Sequence, residues 1–270
     1  MIRNEVCSFS LSSRNRDESS TTRMASRAVN GSSAITSAGR LAIRNVTFSL
    51  ERGRTLGLVG PSGSGKSTLA RCLALFETPT SGEILLDGRK ATRADVQLIF
   101  QEPASSLNPR FTAAQIVTEP LLIRGMGTRK TRRQRAPELM ETVGLPRQAV
   151  ETPALEFSGG ERQRLAIARA LAVEPKLLIL DESFAGLDLS VQAQVSSLLL
   201  DLQERRGLTY ILISHDLALV WRLAGEIAVM DHGSIVEHAG VADLLARPQH
   251  PLTRELLDAA RALSLEGAPA

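Results

Sequence analysis

The sequence predicts an α/β fold: a mainly parallel sheet covered by helices, with a helical subdomain inserted into it. Three observations predict it. Short apolar runs alternate with helical patterns on either side of residues 101–175, as in strand–helix–strand units. One run, 56–59, passes through a glycine-rich loop straight into the helical pattern Leu69, Ala70, Cys72, Leu73. Another, 177–180, is apolar throughout and ends on Asp181 and Glu182, as a central strand covered on both faces would.

Taken in order, residues 2–10 read as one short strand, and 11–40 as a loop rich in Ser, Arg, Thr, Asn and Gly. Its Ser and Arg content is similar to that of a transit peptide, but Asp17 and Glu18 and the absence of a clear amphipathic pattern argue against one. From Leu41 the pattern turns regular. Val46, Phe48 and Leu50 alternate with polar residues in a half-buried strand. After the strand at 56–59 and its loop, a helix runs to about Phe76, and further strands follow at 83–86 and 96–100. Residues 102–175 read as mostly helical, broken at Pro103, Pro109, Pro120, Pro137, Pro146 and Pro153. Within them Arg129, Lys130, Arg132, Arg133 and Arg135 form a basic run, read as a solvated helix face or a docking surface. Strands at 177–180, 209–213 and 227–230 then alternate with helices at 191–205 and 217–223. The domain reading is 1–40 as N-terminal strand plus loop, 41–246 as the main domain, and 247–270 as a short C-terminal extension.

The chain has 270 residues, enough to bury a sizeable core. Its hydrophobic and charged fractions, 43% and 23%, are those of an ordinary globular protein, and its net charge of +3 gives no reason to expect a nucleic-acid partner. Cys7 and Cys72 form no metal-ligand or disulfide pattern, which suits a reduced compartment. No run approaches a membrane span, so any work at a membrane requires other chains.

The chemistry is concentrated at a few places. In Gly60, Pro61, Ser62, Gly63, Ser64, Gly65, Lys66, Ser67 and Thr68, three glycines allow a tight turn whose N–H groups cradle a polyphosphate. The helix that follows adds its positive end. Lys66 is placed to reach the β- and γ-phosphates, and Ser67 to offer its hydroxyl to Mg²⁺. Asp181 and Glu182 stand at the carboxyl end of a parallel strand, where ligands bind. Asp181 suits the Mg²⁺ shell, and Glu182 the polarising of an attacking water. Ser158 and Glu161 have capping-box spacing, but Gly159 and Gly160 between them allow close approach to the backbone. Read alone, that helix start serves equally as a cap or as a second anion site. His215 ends a strand, where a lone histidine is commonly structural, and Asp216 suits a helix cap.

The order GPSGSGKST, Gln101 in FQEPASSLNP, FSGGERQR, LLILDE, Leu187-Asp188 and His215 resembles that of ATP-binding cassette (ABC) ATPases, over about residues 41–262. FQEPASSLNPR and RPQHPLTRELLDAA look like the peptide and nickel branch of import ATPases. The resemblance implies a P-loop NTPase of ABC type, with an antiparallel β part beside the parallel core, that uses ATP and Mg²⁺. It implies a head-to-tail dimer with itself or a sister ATPase. In that dimer Ser158, Gly159, Gly160, Glu161 and Asp188 face the ATP on the partner's phosphate loop. Gln101 would ligate Mg²⁺ and signal to the membrane subunits, and His215 would contact the γ-phosphate. Two transmembrane permease subunits and a solute-binding protein are the implied partners, and the cytoplasmic face of the inner membrane the implied location. Phe9, the only aromatic ahead of the Ser-rich stretch, is the candidate to stack on adenine, with a core residue or part of a disordered tail as the alternative reading. Glu161 stands where the family usually has Gln, and Ser183-Phe184-Ala185-Gly186 replaces the usual Pro-Thr-Ser-Ala. No cysteine follows Cys72, so the iron–sulfur cluster of some relatives is not expected. An exporter or lipoprotein-release ATPase is disfavoured by the PQHP segment. A soluble ATPase acting on nucleic acid or ribosomes is disfavoured by the lack of coiled coils, zinc modules or a second cassette.

Overall fold

The computed structural model describes residues 6–10, 33–35, 41–100 and 106–266. The chain divides into two compact units, residues 1–92 with 215–270 and residues 93–214.

The first unit holds most of the strands. β1 (Val6–Ser10) lies between β4 (Thr47–Glu51) and β6 (Glu83–Leu86), antiparallel to both, and β7 (Arg89–Lys90) extends the same sheet. The expected first strand is therefore present. Its residue Phe9 stands in register with Phe48 and Ile84, both buried. What the Phe9 side chain touches lies outside the described residues. The Ser-rich stretch does not read as loop throughout, because β2 (Ser33–Ile35) pairs with β3 (Leu41–Arg44).

The strand before the glycine loop, β5 (Thr55–Val59), is buried along its whole length and runs parallel to β11 (Glu226–Asp231). The turn at His232 and Gly233 leads from β11 into β12 (Ser234–Gly240), which returns antiparallel. A glycine at position 57, inside a strand, has a packing reason. A Cβ there would lie 2.4 Å from Val220 Cγ1 on α6 (Leu217–Leu223), so the helix lies closer to β5 than any side chain would allow. α1 (Lys66–Leu73) stops three residues before the expected Phe76, because Leu75 turns left-handed at φ 60°.

The C-terminal extension is mostly helix: α7 (Val241–Ala246), then α8 (Pro251–Glu266) with proline at its first position. Glu237 on β12 accepts hydrogen bonds from the amides of Gln249 and His250, both at 2.9 Å, and from the Thr253 hydroxyl. The PQHP segment is thus tied to the sheet by one carboxylate. Burial raises its pKa, but these hydrogen bonds outweigh burial and hold it below the usual value.

Among its described residues, the second unit has three parallel strands, β8 (Val96–Ile99), β9 (Leu177–Asp181) and β10 (Thr209–Ile213), with β9 in the middle. Its helices are α2 (Ala113–Ile123), α3 (Arg129–Thr142), α4 (Gly159–Leu171) and α5 (Leu189–Arg206). Pro120 and Pro137 do not break helices, contrary to the sequence reading; each sits inside one. An interior proline costs about 3 kcal/mol. α2 buries Ile116, Val117 and Leu121, and α3 buries Leu139 and Met140, at about 1.5–3 kcal/mol per side chain. Packing prevails over the local penalty. In the basic run, Arg133 pairs with Glu151 at 2.8 Å, Arg135 with Glu174 at 2.7 Å, and Arg132 donates to the Gly127 carbonyl at 2.6 Å.

Candidate nucleotide site

The phosphate loop belongs to the first unit, and its shape is set by backbone. Gly60 has φ 147°, and a Cβ there would fall 2.1 Å from the Met230 carbonyl oxygen of β11. Only glycine fits so close to another backbone. Gly63 and Gly65 also have positive φ, 78° and 105°. The amide of Gly233 donates to the Ser64 carbonyl at 2.9 Å, so the β11–β12 turn supports the loop from behind. Sequence reasoning missed that support; the Asp231-His232-Gly233 turn was its only local signal.

Lys66 is 8% exposed and folds over the loop. Its ammonium donates to the carbonyls of Gly60 and Pro61, each at 2.8 Å, and to Ser64 Oγ at 3.3 Å. Side chains of Thr112, Thr128, Ser158, Asp188 and Asp216 cap α2 to α6, but no side chain caps α1. The start of α1 therefore presents amide donors and the dipole's positive end beside an ammonium group. Ser67 and Thr68 occupy its first turn, half-buried. Pro61 and Ser62 are exposed on the loop. His215, in the same unit, is exposed ahead of α6, and Asp216 Oδ1 caps that helix by accepting from the Leu219 amide at 3.1 Å.

The second unit holds the acidic pair and the Ser-Gly-Gly-Glu helix. Asp181, the last residue of β9, is 7% exposed. Glu182 adopts a left-handed backbone at φ 48°, a conformation that costs a residue with a side chain about 1–3 kcal/mol. Its amide donates to the Ile213 carbonyl at 2.9 Å, and its carbonyl accepts from the Ala185 amide at 3.1 Å. The side chain is half-buried.

At the start of α4 the capping box forms in full. Ser158 Oγ accepts from the Glu161 amide at 3.3 Å, and Glu161 Oε2 accepts from the Ser158 amide at 2.8 Å. The Ser158 amide and hydroxyl hold the Glu161 carboxyl below its usual pKa. Glutamate thus serves as the capping acceptor here. The two glycines differ in kind. A Cβ on Gly160 would meet Val191 Cγ1 of α5 at 2.7 Å, whereas one on Gly159 would meet open space. Asp188 caps α5, accepting from the Val191 amide at 2.9 Å. Gln101 lies outside the described residues.

Comparison with known proteins decides the family. The sequence model of the ABC transporter family matches residues 43–185. This chain belongs to the ABC transporter family. The cassette is 47% identical over 225 residues to a peptide import ATP-binding protein of Brucella ovis, covering 80% of this chain and 71% of that one. It is 47% identical over 230 residues to a peptide ABC transporter ATP-binding protein of Sinorhizobium fredii, covering 81% and 65%. Among solved structures, cbiO1 of Clostridium perfringens, part of the ABC transporter complex cbiONQ, matches with a TM-score of 0.72 at 25% identity, covering 87% of this chain and 97% of that one. The ATP-binding cassette MJ0796, solved as a dimer in a post-hydrolysis state bound to ADP and Pi, matches with a TM-score of 0.66 at 29% identity, covering 78% and 97%. The expected ABC ATPase fold is thus borne out. Among the described residues, no helix is long and apolar enough to cross a membrane.

Proposed function

We propose that this cassette is the ATP-hydrolysing subunit of a peptide importer, with nickel or another small solute as the next cargo class. The observation that carries the ATPase reading is the uncapped start of α1 beneath the Lys66 ammonium, a polyphosphate cradle supplied by backbone donors. The peptide cargo rests on the names of the relatives at 47% identity.

In this reading Gly60 to Thr68 bind the phosphates, with Lys66 on the β- and γ-oxygens. The protein's donors for Mg²⁺ are all oxygens: the Ser67 hydroxyl, the buried Asp181 carboxylate and the Gln101 amide carbonyl. Such a sparse, hard set suits a cation that keeps phosphate and water ligands. Bound there, the ion neutralises charge developing on the phosphates. Glu182 accepts a proton from water as the water oxygen bonds to the γ-phosphorus and the bond to the β-γ bridging oxygen breaks, releasing ADP and phosphate. His215 orients the γ-phosphate. Ser158, Gly159, Gly160, Glu161 and Asp188 face the ATP of a second cassette, itself or a sister subunit, in a head-to-tail dimer. The subunit is peripheral at the cytoplasmic face of the inner membrane, delivering its work to two permease subunits supplied by a solute-binding protein.

Nucleotide binding and steady-state hydrolysis test the chemistry. Glu182→Gln retains ATP affinity and lowers turnover by a factor on the order of 10². Lys66→Ala loses nucleotide binding. Wild-type turnover in Glu182→Gln refutes the assignment.

A further inference from the structure

The carboxylate assigned to water activation sits on a backbone that would not hold its shape alone. Glu182 is left-handed, and such a conformation persists only where its surroundings over-determine it. On one side the constraint is the β10 carbonyl of Ile213, which holds the Glu182 amide. On the other side it is a side chain from α4. Gln163 is 1% exposed, and its Nε2 donates at 2.9 Å to the carbonyl of Ser183, the residue directly after Glu182. Gln192 of α5 reaches only carbonyls farther on, those of Phe184 and Leu187, at 3.4 and 3.3 Å. The Ser183 hydroxyl, buried at the same place, has no partner among the described residues and anchors nothing. A buried amide and a buried carbonyl that satisfy each other hold both groups firmly, because separating them strands two polar groups away from water.

We propose that Gln163 is a positioning residue for hydrolysis: its amide clamps the Ser183 carbonyl and thereby fixes the direction in which Glu182 presents its carboxylate. Gln163 touches no substrate in this account and acts through Glu182, so the inference rests on the reading of Glu182 as the proton acceptor. Gln163 also lies one turn beyond Gly159 on α4, so the helix that starts with the second anion site is the helix that holds the carboxylate's backbone.

Gln163→Met keeps the side chain's length and removes the donor. In the full-length chain it lowers kcat by roughly 10- to 100-fold, the scale of a small misplacement of a catalytic group. The KM for ATP stays within about twofold. In a Glu182→Gln background the same change costs less than about twofold further, because the group it positions is already gone. A residue that only held the fold together would lower the melting temperature yet leave kcat at saturating ATP intact, or would cost as much in both backgrounds. Gln163→Glu supplies the conservative rescue and covers the case in which the methionine variant fails to fold. Its carboxyl donates to the Ser183 carbonyl when protonated and repels it when ionised, so its kcat relative to wild type falls as pH rises. Wild-type kcat in Gln163→Met, or a pH-independent wild-type kcat in Gln163→Glu, overturns the proposal while Glu182 keeps its role. Wild-type kcat in Glu182→Gln overturns both.

Discussion

Gly159 and Gly160 are adjacent in the sequence, yet the structure gives them separate reasons to be glycine, and substitution separates them. An alanine at 160 would place its Cβ 2.7 Å from Val191 Cγ1, 3.3 Å from Cγ2 and 3.6 Å from Cβ. Carbon atoms normally rest about 3.5–4.0 Å apart. Valine in a helix is nearly confined to one χ1 rotamer, so Val191 cannot swing clear. Either α4 or α5 must shift, at about 1–3 kcal/mol for overpacking of this kind. At about 2–4 °C per kcal/mol for a chain of this size, Gly160→Ala melts several degrees below wild type. Val191→Ala removes the clashing methyls, so the double variant is less destabilised than the two single changes summed. Gly159→Ala meets open space and gains helix propensity, so it melts at or slightly above wild type. On the proposed dimer reading it nonetheless lowers ATP hydrolysis, because its methyl would cover the backbone offered to the partner's nucleotide. Thermal melts of the four variants, with hydrolysis measured on each, provide the comparison. A Gly160→Ala melt equal to wild type, or strictly additive effects with Val191→Ala, refutes the packing argument. Full hydrolysis in Gly159→Ala refutes the ligand-facing one.

Two further outcomes follow from the same structure. The folded-state pKa of Glu237 is depressed, so its contribution is fully present above the unfolded value near 4.5 and is lost as pH falls through the folded value. Glu237→Ala frees α8 from β12 at a cost of about 1–3 kcal/mol at neutral pH, seen as faster hydrogen exchange over residues 251–266, and unchanged exchange there refutes the anchor. Cys72 is 1% exposed, and burial, with a smaller push from Glu77, raises its thiol to a pKa of about 11. In a Cys7→Ser background the folded chain therefore resists thiol alkylation at pH 8 until denaturant is added, and prompt labelling of the native protein contradicts the burial.

The sequence by itself determined which residues are candidates for the chemistry and which segments form the parallel strands. A phosphate loop is a local device: its glycines, lysine and serine are consecutive because one tight turn must lead into one helix. β9 was legible for a similar reason, since an uninterrupted apolar run ending in carboxylates is what a strand covered on both faces, with its carboxyl end at a ligand site, requires. The caps at Ser158 and Asp216 were legible too, because they bond three residues ahead. Only the tertiary structure decided what distant segments do to one another. Pro120 and Pro137 remain inside helices because buried side chains on α2 and α3 outweigh a local penalty, and no local pattern reports that balance. β12 and the Glu237 anchor escaped notice because the pairing of β12 and the ends of α8 depend on partners brought together by folding. The same applies to Gly160 against Val191, Gly60 against Met230 and Gln163 against Ser183. Each is a contact between residues at least 20 positions apart. The sequence therefore names the chemistry, while long-range packing and hydrogen bonding set the angle at which that chemistry is held.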